Sequence, residues 1–299
     1  MRSQLTRVVD HAITAAFAVW IIGGAWALLA VGVEPLLVST LIVAPLVVAA
    51  AVLERVRPER REFVPLDRPL RNEAANFFFN YHLGYGLAIA GLAGIAWLTD
   101  GRLIASLWPV EWPMAVQVVL AVCLAEGASY WQHRLSHRIP LLWRFHALHH
   151  SGRRLNLVRA GRFHFMDIGP GSFLVFAPIT LLGAPDTIVA WLATLAGALG
   201  VMQHANIRMR TPRWVDGLVC TPAVHRFHHS IELRESDANF GTSVMLFDRL
   251  FGSYARPDPA GPAAMGIADD PVPAGFLAQV TTPFRRPSRA PSALPGRPD

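Results

Sequence analysis

Four long apolar runs in the first half of the chain constrain its fold more than any other feature. They cover residues 12–33, 36–53, 74–98 and 114–130. A run of about 20 apolar residues spans a bilayer as a helix, and no water is available there to satisfy an open backbone. The sequence therefore predicts an all-α integral membrane helical bundle. We interpret the first run as a retained anchor, because the apolar core of a signal peptide is only about 7–15 residues long.

Composition agrees with this class of protein. Hydrophobic residues make up 53% of the 299 residues and charged residues 16%, whereas soluble domains carry about 25% charged residues. All 27 basic residues are arginines, and they are spread among apolar runs. Membrane topology therefore explains the net charge of +6 better than binding to nucleic acid. Cys123 and Cys220 are too few for a disulfide framework, an iron–sulfur cluster or a thiolate zinc site.

The distribution of arginine predicts the orientation in the membrane. Arginines are frequent before the first run and in residues 54–71, whereas residues 33–35 and 99–113 contain only Arg102. The positive-inside rule puts the arginine-rich side in the cytoplasm. Four crossings then leave residue 131 onward on the cytoplasmic side, and we expect a multi-pass protein of a bacterial inner membrane.

A fifth apolar region, residues 168–201, is interrupted by "GAPD" at 183–186. Each half is short for a full span, so we expect a hairpin that enters and leaves the membrane on one side; two thin spans are the alternative. The chain then divides into an N-terminal membrane hairpin with a cytoplasmic loop (1–73), a histidine-rich domain (74–255) and a Pro- and Arg-rich C-terminal tail (256–299). The last dozen residues are expected to be disordered.

Ten of the twelve histidines fall between residues 133 and 229. Eight are grouped as "HRLSH", "HALHH" and "HRFHH", spacings that place each group on one helix face. A neutral imidazole offers one lone pair to a metal, and ten exceed the four that zinc takes. The pattern predicts a two-metal site, and imidazole suits iron. The predicted ligands are His133, His137, His146, His149, His150, His164, His204, His225, His228 and His229.

The order HxxxH, HxxHH, HxxHH behind membrane helices resembles the fatty acid hydroxylase superfamily, also called the sterol desaturase family, over roughly residues 75–255. "RFHFMD" at 162–167 is similar to the family's R-x-H-P-x-E segment, with Phe165 for proline and Asp167 for glutamate. "QHANI" at 203–207 and "NFGTSVMLFDRLFGSY" at 239–254 are similar to other family segments. The resemblance implies a membrane-bound enzyme with two iron ions, in a cytoplasmic helical cap, that uses dioxygen to hydroxylate a lipid C–H bond. Zinc can replace iron in purified samples.

Four further residues could support the metal site. Glu126 lies seven residues before His133 and so shares its helix face, and carboxylates or amides nearby could accept imidazole N–H bonds. These candidates are Glu126, Asp167, Asn206 and Asp237. The sequence contains no G-x-G-x-x-G, no P-loop and no haem-attachment motif. We therefore expect electrons from a separate protein, a ferredoxin or a flavin reductase.

Two other functions remain open on the sequence alone. A desaturase or sterol-type oxidase would use the same site. A membrane metal-binding or transport protein belongs to a different class, and a transporter should carry ionisable residues inside several spans. Here the histidines lie outside the spans in one patch, which favours the enzyme. Fatty acyl chains, sterols, sphingolipids, carotenoids and alkylglycerol ethers all remain open as substrates.

Overall fold

The computed structural model describes residues 2–66, 68–99 and 107–285, and the regular structure in these ranges is helical. The predicted all-α fold is confirmed. The helices are α1 (Arg2–Ala18), α2 (Gly24–Ala30), α3 (Pro35–Val56), α4 (Leu70–Ala75), α5 (His82–Leu98), α6 (Met114–Arg138), α7 (Pro140–His150), α8 (Phe165–Leu181), α9 (Asp186–His204), α10 (Arg213–Asp216), α11 (Pro222–His228), α12 (Leu233–Ser236), α13 (Leu246–Leu250) and α14 (Phe276–Arg285).

Among the described residues, five helical segments are long and apolar enough to cross a membrane. Two of them are continuous rods, in which a π-helical turn joins α1 to α2 and another joins α4 to α5. Large apolar side chains such as Trp26 (67% exposed) and Ile89 (66%) cover their outer surfaces, which suits lipid rather than water. The predicted multi-pass membrane protein is confirmed. The five segments are Gln4–Ala30, Pro35–Val56, Leu70–Leu98, Met114–Arg138 and Asp186–His204.

The interrupted apolar region forms a helical hairpin of α8 and α9. Gly183 sits between them with a φ of 80°, a left-handed conformation that favours glycine just after a helix. The backbone N–H of Gly183 donates to Thr180 O and that of Ala184 to Ile179 O, which ends α8. The chain therefore reverses, and the first residue of α8 and the last of α9 lie at the same end of the bundle.

Helices α3, α5, α6, α8 and α9 pack around one another to form the body of the bundle. Where α5 meets α8, a Cβ on Gly84 would collide with the side chain of Ile168, so a small residue is required for this close approach. Where α3 meets α9, Ile42, Leu46 and Met202 belong to one buried apolar cluster. The tight packing fixes the ends of these helices relative to one another.

A layer of short helices and loops, which we call the cap, covers one end of the bundle and includes α7 and α10–α13. The described part of the predicted C-terminal tail, residues 256–285, packs on the cap, where the N–H of Gly266 donates to His229 O at 3.0 Å, and on the residues around α4. Arg68 pairs with Asp270 at 3.0 Å, and Asn76 Nδ2 donates to Gln279 Oε1 of α14 at 2.8 Å. The residues predicted to be disordered lie outside the described part of the chain.

Candidate metal centre

Within the described residues, nine of the ten predicted histidines converge in two buried groups beneath the cap. The potential ligand atoms of each group all lie within 4.8 Å of one another. Each of these side chains is at most 5% exposed. The five-histidine group is His133, His137, His146, His150 and His228, and the four-histidine group is His149, His204, His225 and His229.

The two H-x-x-H-H boxes interlock, which the sequence interpretation did not anticipate. We expected each box to supply one face of ligands. Instead, His146 and His150 of α7 join one group and His149 the other. Consecutive helical residues point about 100° apart, so His149 and His150 face different groups. The second box, at α11, divides the other way: its middle histidine, His228, joins the five-histidine group, and His225 and His229 join the four-histidine group.

Backbone carbonyls fix the tautomers in the five-histidine group. His133 Nδ1 lies 2.7 Å from Phe240 O, and His228 Nδ1 lies 2.7 Å from Ala238 O. A carbonyl oxygen only accepts, so each Nδ1 carries the proton and each Nε2 a lone pair. The two Nε2 atoms are nevertheless 3.0 Å apart. Two lone pairs at that distance repel, and a bound cation removes the conflict.

The four-histidine group repeats this arrangement. His204 Nδ1 lies 2.8 Å from Gly200 O and His149 Nδ1 lies 3.3 Å from Arg162 O. Their Nε2 atoms face each other at 3.4 Å. In both groups these rings direct a lone pair inward and a proton outward, an arrangement that fits metal ions.

The electrostatics of the cap keep these imidazoles neutral. Burial, followed by the neighbouring imidazoles, lowers the pKa of His149, His150, His225 and His229 well below the ordinary value. Burial lowers the pKa of His228 to about 3, although its hydrogen bond to Ala238 opposes the shift. The neutral form, which has a free lone pair, is the form that binds a metal.

Asp167 makes the contact expected of a predicted supporting residue. Its Oδ2 accepts the Nδ1–H of His146 at 2.9 Å. The Nε2 of His146 is buried, and no group in the described part of the chain hydrogen-bonds to it. A carboxylate that holds one ring nitrogen while the other is unpartnered is the arrangement of a metal-binding histidine.

In the described part of the chain, Glu126 does not hydrogen-bond to a histidine, as its spacing from His133 suggested, but to the backbone of a loop that contacts the histidines. Its carboxylate accepts the N–H groups of Thr242 and Ser243, both at 2.7 Å. Asp248 similarly accepts the N–H groups of Phe240 at 2.8 Å and Gly241 at 2.6 Å. Together they fix the loop that presents the carbonyls of residues 238 and 240 to imidazole rings. Sequence reasoning missed these carbonyls because no side chain signals them.

The structure does not bring three other predicted residues to the groups. His164 caps the N-terminus of α8, where its Nδ1 accepts the N–H of Met166 and its Nε2 lies 3.1 Å from Val280 O of α14. Asn206 binds both backbone groups of Arg60 at 2.9 and 2.8 Å. Asp237 pairs with Arg138 at 2.8 Å on the surface. In this structure these side chains bond to other parts of the fold, and neither His164 nor Asp237 belongs to either histidine group.

A cavity of about 460 Å³ connects both groups to the membrane-spanning part of the bundle. Its walls include His133, His146 and His149 at one end, and apolar residues such as Val175 and Ala196 at the other. Residue 196 lies about 12 Å below the end of α9, because each helical residue rises about 1.5 Å. The cavity therefore has a polar end beneath the cap and an apolar end in the bilayer, which suits an amphiphile.

These features define a class: a multi-pass helical membrane protein with a buried polyhistidine centre at the polar end of a lipid-sized cavity. The family model described as fatty acid hydroxylase matches residues 118–253. Ornithine lipid hydroxylase OlsE of Rhizobium tropici is 36% identical over 247 residues, which cover 80% of this chain and 73% of that protein. The chain belongs to the fatty acid hydroxylase family, as its histidine boxes predicted.

A more distant relative points to the same chemistry. Alkylglycerol monooxygenase of Danio rerio is 27% identical over 157 residues, which cover 49% of this chain and 32% of that protein. One relative is thus named as a lipid hydroxylase and the other as an alkylglycerol monooxygenase. No solved structure gives a significant match to this chain.

Proposed function

We propose that the protein is an oxygen-dependent lipid hydroxylase in which each histidine group holds one iron ion. The observation that carries the proposal is the pairing of inward-facing lone pairs with a lipid-sized cavity that begins at both groups. Imidazole is a natural ligand of iron, and sets of four and five leave a coordination position open. The proposed ligands are His133, His137, His146, His150 and His228 for one ion and His149, His204, His225 and His229 for the other.

The protein's own residues would bind the metal ions, orient the lipid and exclude water. When bound, reduced iron supplies the activation of dioxygen needed to oxidise an unactivated C–H bond. Asp167 and the backbone carbonyls hold the imidazole protons outward. The cap excludes water from the buried rings, and the apolar cavity wall aligns a hydrocarbon chain with the metal groups. Because the sequence lacks nucleotide-binding motifs, we propose that a ferredoxin or a flavin reductase delivers the electrons.

We further propose that the cap faces the cytoplasm of a bacterial inner membrane. The arginine bias supports this orientation. In this scheme residues 1–73 are a membrane hairpin and loop, residues 74–255 form the catalytic domain and residues 256–299 form the tail. New cysteines at Arg153 and Ser236, introduced after Cys123 and Cys220 are changed to serine, should both react only from the cytoplasmic side. Labelling from opposite sides would contradict the shared site.

The function can be tested with oxygen-18. Purified protein loaded with iron(II) and supplied with a reduced electron donor should insert one labelled oxygen atom into a membrane lipid. Ornithine lipids and alkylglycerols are the first lipids to test, because the relatives carry those names. His228→Ala should abolish the product, whereas His11→Ala, a change on the exposed face of α1, should not.

The same assay separates the alternatives. A product that has lost two hydrogens and carries no label would identify a desaturase on this site. A sterol product would identify a sterol-type oxidase. Metal that binds and moves across vesicle membranes, with no lipid changed, would favour a transport protein and overturn the proposal.

A further inference from the structure

Gln132 presents an unpaired hydrogen-bond acceptor to the cavity. Its Nε2 lies 3.2 Å from Asp167 Oδ1 and 3.2 Å from Ser136 Oγ. An ionised carboxylate only accepts, so the NH2 group of Gln132 must face Asp167 and its Oε1 is directed elsewhere. In the part of the chain that the structure describes, no group donates a hydrogen bond to Oε1. The orientation of this acceptor is therefore fixed by its neighbours.

Glycine keeps the space beside this acceptor open. A Cβ on Gly171 of α8 would lie 3.5 Å from Gln132 Oε1. Both residues line the cavity, so a ligand group can approach Oε1 across Gly171. Any larger residue at position 171 would cover the acceptor.

The acceptor also lies next to the metal groups. Asp167 binds Gln132 through one carboxylate oxygen and His146 through the other, and Gln132 is followed directly by His133. A ligand group bound to Gln132 would therefore lie at the end of the cavity that His133 and His146 also line. The cavity away from this end is apolar, with Val175, Phe176 and Ala196 in its walls.

We propose that Gln132 Oε1 accepts a hydrogen bond from an N–H or O–H group of the lipid substrate. The substrate then binds with its polar end at the metal groups and its hydrocarbon chain in the membrane part of the cavity. This inference rests on the proposed function. It restricts the substrates to lipids with a hydrogen-bond donor near the carbon that is hydroxylated, and it excludes plain alkyl esters and hydrocarbons as preferred substrates.

A pair of probes isolates the donor. N-methylpalmitamide and methyl palmitate have the same chain, but only the amide carries an N–H group. Binding is measured without turnover, from the concentration of probe needed to raise the melting temperature of the purified protein in detergent. One neutral hydrogen bond contributes about two- to tenfold in affinity, so the wild-type protein should prefer the amide by that factor.

Two variants test the residue assignment. Gln132→Leu removes the acceptor, and Gly171→Ala covers it while leaving Gln132, Asp167 and His146 in place. Each should bring the ratio of amide to ester affinity close to one. Gly86→Ala is the matched control, since Gly86 lies outside the cavity and an added Cβ there meets nothing within 4 Å; it should keep the wild-type ratio.

The results distinguish this inference from the function it rests on. Equal stabilisation of wild-type protein by the two probes, or no stabilisation by either, would overturn the role of Gln132. So would an amide preference that survives in both variants. Hydroxylation of a lipid extract by the same preparation tests the proposed function separately, and it would stand even if the amide preference were absent.

Discussion

Replacing Asp167 with asparagine should weaken the five-histidine group selectively. In the wild-type protein, one carboxylate oxygen accepts the Nδ1–H of His146 at 2.9 Å and the other accepts the amide of Gln132 at 3.2 Å. Asparagine can accept from His146 and also bond to Gln132 only if Gln132 turns its amide over and becomes the acceptor, and the negative charge is lost in either case. That charge orients His146 and raises the basicity of its Nε2.

The magnitude follows from the single charged hydrogen bond that is lost. Loss of such a partner to a metal-binding histidine lowers metal affinity by about 10–100-fold, which corresponds to about 1.4–2.7 kcal/mol. The four-histidine group has no contact with Asp167 and should keep its affinity. Titration with a chelator should therefore release metal from Asp167→Asn in two separated steps, the first at about 10–100-fold less chelator than the wild-type protein requires.

Asp237→Asn is the matched control. It is the same chemical change at a surface carboxylate that pairs with Arg138, and exposed pairs contribute only about 0–1 kcal/mol. Its chelator titration should follow that of the wild-type protein. If Asp167→Asn also released its metal at wild-type chelator concentrations, Asp167 would not support a metal-binding imidazole, and the assignment of His146 would fail with it.

Three further predictions concern the pH dependence, the supporting loop and the ligands. Burial lowers the pKa of His228 and of the other cap histidines in the folded protein. Below the histidine pKa of the unfolded chain, about 6.5, the unfolded chain therefore binds more protons than the folded protein, and the melting temperature of the metal-free protein should fall as the pH is lowered from 7.5 to 5.5. A melting temperature that does not change with pH would contradict neutral imidazoles. Glu126→Gln should cost about 1–3 kcal/mol, since each carboxylate oxygen accepts a different N–H group of the loop and the amide replaces one of these oxygens with an NH2 donor; unchanged thermal unfolding would refute its structural role. His149→Ala and His228→Ala should each abolish hydroxylation while membrane insertion persists, and activity above about a tenth of wild type in either would remove that residue from the ligand set.

Much of the fold was predictable because a membrane helix can be recognised from a short continuous stretch of sequence. Apolar length and the positions of charges located the four N-terminal spans and the turn between α8 and α9. The expectation that both halves would be too short to cross was wrong for α9, which is long and apolar enough to span a membrane. The grouping of His133 with His137 followed from helical spacing in the same way. These properties depend on residues near one another in sequence, and the bilayer leaves the backbone little choice.

The details of the site were less predictable because they depend on contacts between distant segments. The division of each H-x-x-H-H box between two groups is set by how α7 and α11 face each other. His164 matched a family segment, yet α14, more than 110 residues later, supplies the partner of its Nε2. Nothing in the sequence around Gln132 indicated its proposed role as a hydrogen-bond acceptor, since that role depends on the carboxylate of Asp167 on another helix.

The metal content of the iron-reconstituted protein tests the central claim most directly. The two histidine groups predict two iron ions per chain, measured by elemental analysis against the protein concentration from amino-acid analysis. His149→Ala, in the four-histidine group, and His146→Ala, in the five-histidine group, should each reduce the count towards one. A wild-type protein that is well folded and yet holds one metal ion or none would contradict the two-metal site and the hydroxylase built on it.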